Sequence, residues 1–466
     1  MYHLMTTDWY PDHSSVSDLV SHAKKLHNRT FSDCASSFDL DFADDLSKIG
    51  KGGLGNVLEA MFGLEQNNRA EADFIDAKME GSDVPGLELK LVPLHHTTRG
   101  LAVKERLVLG NINYTEIQFE TWEESKARAK MNRMLNIFVD FDREDSMQSK
   151  IKHSSLWELS EPTESILQHD WARCQKFVLE GRAHELSERF FQTLSPCRKG
   201  AGGEKDWVYY EGATEPAKRR AFSLKQGYMD GVFRNSKNRI TSGSIFSSSE
   251  LKMNDIDKIL LKKINEINGM AVGDVCTRLN ITLSPAKDAV SRLARLYLTD
   301  GDSHKRIVEL DDRGLILKNV PLNSITGKPW EATSFSRTNL LDLMECDAFE
   351  DHKLSEVLSG IIFLPNLRAE RKIADRKEIK FGKPVLWRPS HNEWKTIERE
   401  WTMYRNHLRR YGFSRPLPGA SQTKIIHMRP KAANNTKVET DENGNTITHQ
   451  AFWLNQRFVR EILRLK

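Results

Sequence analysis

The stretch Gly86-Leu87-Glu88-Leu89-Lys90-Leu91-Val92-Pro93 returns later in the chain as Gly314-Leu315-Ile316-Leu317-Lys318-Asn319-Val320-Pro321, with six of eight positions unchanged. A chain that carries one strand pattern twice is constrained to fold twice around it. Side chains alternate across a strand, so Glu88 and Lys90 share one face and Leu87 and Leu89 the other. In the second copy the lysine survives as Lys318, but isoleucine stands where the first has its acid.

Three further pairs recur in the same order. Leu54–Glu59 pairs weakly with Val272–Thr277, at a spacing of 273 − 55 = 218 residues. Asp170-Trp171 pairs with Glu400-Trp401, and Ala221–Gln226 with Ala451–Gln456 at 452 − 222 = 230. These last pairs bracket two proline segments, Ser195–Gly200 and Arg429–Asn434. Four ordered pairs at nearly one spacing indicate a tandem duplication. Residues 234–250, rich in Ser, Asn and Gly, read as the linker between halves. The expected domains are 1–240 and 254–466, joined by 241–253. In this register Glu88 corresponds to Ile316 and Glu59 to Thr277.

The 466 residues carry a net charge of only +4, so a surface for nucleic acid has to be a local patch. The length suits roughly two to four domains. Five scattered cysteines without a Cys-x-x-Cys pair read as reduced thiols, not a disulfide or zinc framework. The first residues lack a secretory pattern and no apolar run is long enough to span a bilayer, so a cytoplasmic protein is expected.

Apolar spacing predicts a helix over 16–26. Lys51–Gly63 predicts a glycine turn opening a helix, either as a plain turn or against a DNA phosphate. Strands are predicted at 86–93, 104–109, 134–139 and 221–224. Helices are predicted from Trp171 onward and around 228–233, with 196–203 as a loop. Strands and helices mix without a regular βαβ repeat, which predicts an α+β fold with a mixed sheet. Most tryptophans read as core. Trp122 and Trp207 stay open between core and base stacking. His184 reads as structural, and Lys218, Arg219 and Arg220 form a basic cluster.

A carboxylate and an ammonium at a strand end suit metal-assisted phosphodiester hydrolysis. Asp73, Glu88 and the Leu89 carbonyl would hold Mg2+, which prefers oxygen ligands. Lys90 would orient or deprotonate the attacking water, or balance charge at the transition state. Isoleucine cannot ligate a hard cation, so the second half should have lost this site. An exposed strand often carries such a pair merely as solvated charge.

At these residues the chain resembles the MutH-like endonucleases. The shared elements are Gly-x-x-Gly-x-x-x-Glu, Glu-x-Asp-Phe, Gly-Leu-Glu-Leu-Lys-x-x-Pro and Lys-Glu-Arg-Leu-Val-Leu, then Glu180–Ser187, Ala221–Met229 and Arg429–Asn434. The resemblance implies two tandem domains of the PD-(D/E)xK nuclease fold, a mixed sheet flanked by helices. The doubled architecture resembles the Sau-type restriction enzymes that cut GATC. By resemblance Glu59 is the helix glutamate, Glu88 a metal acid, Lys90 the catalytic lysine and Lys130 a second active-site lysine. The metal aspartate falls on Asp73 or on the nearer Asp83, with Asp73 favoured. Arg198, Lys199, Lys225, Arg429 and Lys431 are the implied DNA contacts.

The implied activity is Mg2+-dependent cleavage of double-stranded DNA at GATC by a bacterial type II restriction endonuclease. Its first half would cut. Its inactive second half would bind a further DNA site as effector, and a dimer on DNA is also implied. The alternatives are a mismatch-repair nicking enzyme and a non-catalytic DNA-binding regulator.

Overall fold

The structure is a computed structural model. It describes residues 10–38, 51–65, 72–82, 84–97, 100–200, 203–238, 242–243, 245–246, 250, 256–286, 288–303, 305–311, 313–371, 375–431 and 438–464. The chain divides into two compact units, Met1–Thr241 and Ser242–Lys466.

The first unit opens with helices α1 (Val16–Lys25), α2 (Phe31–Ser37) and α3 (Lys51–Met61). Strands β1 (Glu88–Thr97), β2 (Gly100–Val103) and β3 (Leu107–Asn111) follow. Then come α4 (Lys126–Met131), β4 (Arg133–Asp140), β5 (Lys150–Glu158) and α5 (Glu161–Leu179). Strands β6 (Leu194–Arg198) and β7 (Arg220–Leu224) and helix α6 (Gln226–Asn238) complete it. The main sheet has the order β2-β1-β4-β5. Only the β1/β4 pair is parallel, so the sheet is mixed. Its odd-numbered residues Leu87, Leu89, Leu135 and Ile137 pack on the three N-terminal helices. Its even-numbered residues Val92, Leu94, Met134 and Phe138 face α5, α6 and the small sheet β3-β7-β6. Burial on both faces explains why β1 reads as a nearly continuous apolar run.

The second unit repeats this plan. Helices α7 (Ile256–Ile264), α8 (Val272–Arg278) and α9 (Ala289–Leu298) precede β8 (Ile316–Asn323) and β9 (Thr333–Thr338). After them come α10 (Lys353–Leu358), β10 (Ile361–Arg368), β11 (Val385–Trp387) and α11 (His391–Tyr411). Strands β12 (Ile426–Pro430) and β13 (Gln450–Leu454) and helix α12 (Gln456–Arg464) end it. Strand β8 runs parallel to β10, as β1 runs parallel to β4. Gly86 and Gly314, which open the two strands, both take positive φ (108° and 60°), a region side chains rarely adopt.

A buried acid marks the same place in each unit. Asp170 on α5 accepts from the main-chain N–H groups of Gln192, Thr193 and Leu194 at 2.6–3.0 Å. Glu400 on α11 accepts from those of Lys424, Ile425 and Ile426 at 2.5–3.1 Å. Each acid ties its long helix to the start of the third strand of the small sheet.

The structure corrects one pairing of the repeat. Thr30, at the start of α2, bridges Lys150, and Ala271, at the start of α8, bridges Lys380. Helix α8 therefore stands in the place of α2, and α9 in the place of α3. The buried residues agree: Leu54, Val57, Leu58 and Met61 match Val290, Leu293, Ala294 and Tyr297. The counterpart of Glu59 is Arg295, not Thr277. Three local expectations also change. The glycines of 52–55 lie within α3 and not in a turn before it. Pro196 sits inside strand β6 and not in a loop. Residues 234–238 continue α6, so they belong to the helix and not to the linker.

Candidate active site

The site lies at the N-terminal end of β1, beside α3 and α4. Main-chain pairing of Phe74 with Leu87 and of Ala77 with Gly86 explains its geometry. Phe74 and Leu87 exchange main-chain hydrogen bonds at 3.0 Å, and the Gly86 N–H donates to the Ala77 carbonyl. This pairing keeps Asp73 beside β1 despite its distance from Gly86 in sequence. The Asp73 carboxylate accepts the Leu89 N–H at 2.8 Å. Asp83, the alternative ligand, lies outside the described residues.

Glu88 is the buried centre, only 1% exposed. Two ammonium groups converge on its Oε1, Lys90 at 2.5 Å and Lys130 at 3.0 Å. Lys130 arrives from α4, a helix capped by Ser125. The other oxygen, Oε2, is buried and has no hydrogen-bond partner. Burial, then the charge of Glu88, raises Asp73 above the ordinary carboxylate range. Burial, then the charge of Asp73, raises Glu59 likewise. The structure therefore brings Glu59, Asp73, Glu88, Lys90 and Lys130 into one electrostatic cluster.

The donors fit a hard divalent cation. Asp73 and Glu88 supply carboxylate oxygens, Leu89 joins them in the chain through its N–H to Asp73, and Glu88 Oε2 is an unsatisfied buried acceptor. The repulsion that raises Asp73 and Glu59 is what a cation would relieve. Among the described residues no group of three or more His, Cys, Asp or Glu side chains is placed to hold a metal. Coordination here would be completed by main-chain, water or phosphate oxygens, as magnesium commonly allows.

The second unit lacks this cluster. In matching strand registers Glu88 lies opposite Met134 and Ile316 opposite Ile361. Lys130 has its counterpart in Val357, because buried Ala127 and Met131 match Leu354 and Leu358. Arg295 replaces Glu59 and ion-pairs with Asp311. Lys318 is retained, but its Nζ donates to the Ser334 carbonyl at 2.8 Å. Burial, then the nearby Lys431, lowers its pKa to about 8.

The expected DNA contacts divide into two kinds. Arg198 and Lys199 are half-buried at the end of β6, where Arg198 pairs with Arg220 and the Lys199 N–H donates to the Arg219 carbonyl at 3.0 Å. Arg429 and Lys431 are exposed at the end of β12, and the Lys431 N–H donates to the His449 carbonyl at 2.8 Å. Cys197 lies opposite Ala221 as Arg429 lies opposite Ala451. Lys199 thus matches Lys431, Arg198 matches Pro430, and the two prolines Pro196 and Pro430 do not correspond. The Arg429 guanidinium lies 4.0 Å over the ring of Trp453, and Lys431 Nζ donates to the Phe335 carbonyl. Lys225 is of the other kind. It is 2% exposed, and its Nζ donates to the Phe191 carbonyl at 2.7 Å, so it serves the core and offers no phosphate contact. Asn455 does the same in the second unit, donating to the Thr423 carbonyl at 3.0 Å. Trp122 is buried and Trp207 is 41% exposed.

Sequence reasoning passed over Asn136. It lies directly opposite Lys90 across the parallel pair and is fully buried, and neither of its amide atoms has a partner. An isolated asparagine in an apolar run gives no signal of its own.

A mixed sheet with an acid–lysine pair at the start of a strand defines a nuclease fold of the PD-(D/E)xK type. Residues 62–170 match the family model of the DNA mismatch repair enzyme MutH. The type II restriction enzyme Sau3AI of Staphylococcus aureus is 28% identical over 314 residues, covering 64% of this chain and 61% of that enzyme. The DNA mismatch repair protein MutH of Vibrio campbellii is 25% identical over 225 residues, 48% of this chain and 94% of that protein. MutH of Vibrio cholerae is 25% identical over 218 residues. The chain is thus similar to MutH over residues 62–170 and to Sau3AI over a longer stretch, and it spans less than two thirds of the length of Sau3AI. No helix among the described residues is long and apolar enough to cross a membrane.

Proposed function

We propose that this protein is a type II restriction endonuclease that hydrolyses double-stranded DNA at GATC with Mg2+, cutting with its first unit and binding DNA with its second. The observation that carries the reading is Glu88, buried, shared by Lys90 and Lys130, and beside Asp73, with no equivalent cluster in the second unit.

Asp73, Glu88 and the Leu89 carbonyl would hold the ion. When bound, it supplies Lewis-acid stabilisation of the phosphate and lowers the pKa of a water. Lys90, as an ammonium, holds the attacking water in line and balances the negative charge that develops at the transition state, while the water's proton passes to solvent. Lys130 places a second positive charge where charge develops on the phosphoryl oxygens. Glu59 adds a negative charge that favours cation capture. Arg198 and Lys199 contact the target DNA, and Arg429 and Lys431 contact a second site.

A plasmid digest with Mg2+ followed by end sequencing tests the whole reading. Linear products with ends at GATC are expected. The variant E88Q should lose cleavage by at least about a thousandfold and keep DNA binding. Full activity in E88Q overturns the site assignment, and single-strand nicks alone would favour the mismatch-repair alternative.

A further inference from the structure

The even-numbered face of the main sheet carries a polar row that the fold does not require. Lys90 on β1 lies opposite Asn136 on β4, and Asn136 lies opposite Ser155 on β5. Asn136 is fully buried and Ser155 is 9% exposed. The Asn136 Oδ1 and Nδ2 and the Ser155 Oγ have no hydrogen-bond partner. Burying such groups unpaired costs stability. They sit among Met134, Phe138 and Trp157, where apolar side chains would pack.

The second unit is an internal control. In the same register Lys318 lies opposite Phe363, and Phe363 opposite Val385. Where the acid cluster is gone, the polar row has become apolar. There the lysine has also left its place, turning to the Ser334 carbonyl. The polar row thus accompanies the intact acid–lysine pair and is dispensable to the scaffold.

We infer that Asn136 is a positioning residue for Lys90, its amide oxygen receiving the Lys90 ammonium when a divalent cation takes up the charge of Glu88, with Ser155 orienting the amide from behind. This rests on the proposed active site. Two ammonium groups now depend on one oxygen, Glu88 Oε1. A cation on Glu88 weakens that attraction and repels Lys90. A neutral acceptor on the adjacent strand keeps the ammonium over the reaction site at little electrostatic cost. Without it, cation and lysine compete for the same carboxylate.

The test is Mn2+ binding to the full-length protein, followed by electron paramagnetic resonance of the free ion, together with thermal unfolding. N136L places an apolar group where the second unit has Phe363. It should bind Mn2+ at least about fivefold more weakly than wild type and, having lost an unpaired buried amide, should melt at an equal or higher temperature. In a K90M background, where no ammonium needs a new acceptor, N136L should leave Mn2+ affinity unchanged. S155A should give a smaller loss in the same direction, providing a milder variant if N136L does not fold. Equal Mn2+ affinity in wild type, N136L and S155A overturns the inference alone. So does a loss of the same size with and without Lys90. A wild-type protein that binds no Mn2+ overturns the active-site reading, and the inference with it.

Discussion

At the scale of single residues, the site is a concentration of negative charge that the fold tolerates. Asp73 and Glu59 both titrate above their ordinary range, burial being the first cause and a neighbouring carboxylate the next. A carboxyl whose folded pKa is raised binds its proton more tightly in the folded state. Its stabilising contribution is therefore present at low pH and is lost as pH rises from the ordinary carboxylate range through the raised value. Without divalent cation, melting measured across this range should show that loss at the first unit. Near neutral pH the substitution E59Q should raise the melting temperature by about 2 °C while reducing cleavage. Saturating Mg2+, at about a hundred times its dissociation constant, should stabilise wild type by about 2.7 kcal/mol and E59Q by less. A lower melting temperature for metal-free E59Q would show that Glu59 has a stabilising partner and is not a strained member of the cluster. Period two in Gly86–Pro93 made the shared face of Glu88 and Lys90 readable from sequence. Lys130 was not readable that way, because its role depends on where α4 ends in space; it came only with the family resemblance.

At the scale of elements, the duplication explains what sequence comparison could and could not align. Strand β1 and its copy were legible because a buried parallel strand tolerates little substitution and its opening glycine needs positive φ. The helices were not. An apolar stripe recurs on every packed helix, so 54–59 could be laid on 272–277 as easily as on 290–295, and only the main-chain bridges of Thr30 and Ala271 decide the register. The burial of Lys225 was hidden for a related reason, since the carbonyl it holds comes from Phe191, far away in sequence. The clasps at Asp170 and Glu400 give these elements a stability test. Truncating either acid leaves main-chain donors of a buried strand without their acceptor, at about 1–3 kcal/mol each. D170A should destabilise the first unit and E400A the second. Limited proteolysis should show each variant cut early within its own half and protected in the other. Protease sensitivity spreading equally through both halves in both variants would mean that the clasps do not act within single units.

At the scale of the whole molecule, the two units share a sheet with one parallel pair and an acid clasp, and differ at the residues of the candidate site. Glu59, Glu88 and Lys130 become Arg295, Ile316 and Val357, whereas the sheet, its parallel pair and the acid clasp persist. Under the proposed function, a duplicated fold that keeps its scaffold and loses Glu59 and Glu88 would still serve by binding DNA through the exposed Arg429 and Lys431. The net charge of +4 means that such DNA contact depends on a few local cations and not on bulk attraction. Two variants of the intact chain separate the roles. K318M removes the retained lysine of the second unit and should leave plasmid cleavage within about twofold of wild type, because that lysine faces a carbonyl and has no acid beside it. R429A/K431A should leave cleavage of a short duplex with one target site within the same limit but slow cleavage of a plasmid with two sites by at least about tenfold. Measured together, equal slowing on both substrates would place Arg429 and Lys431 on the DNA being cut, and loss of cleavage in K318M would place catalysis in the second unit.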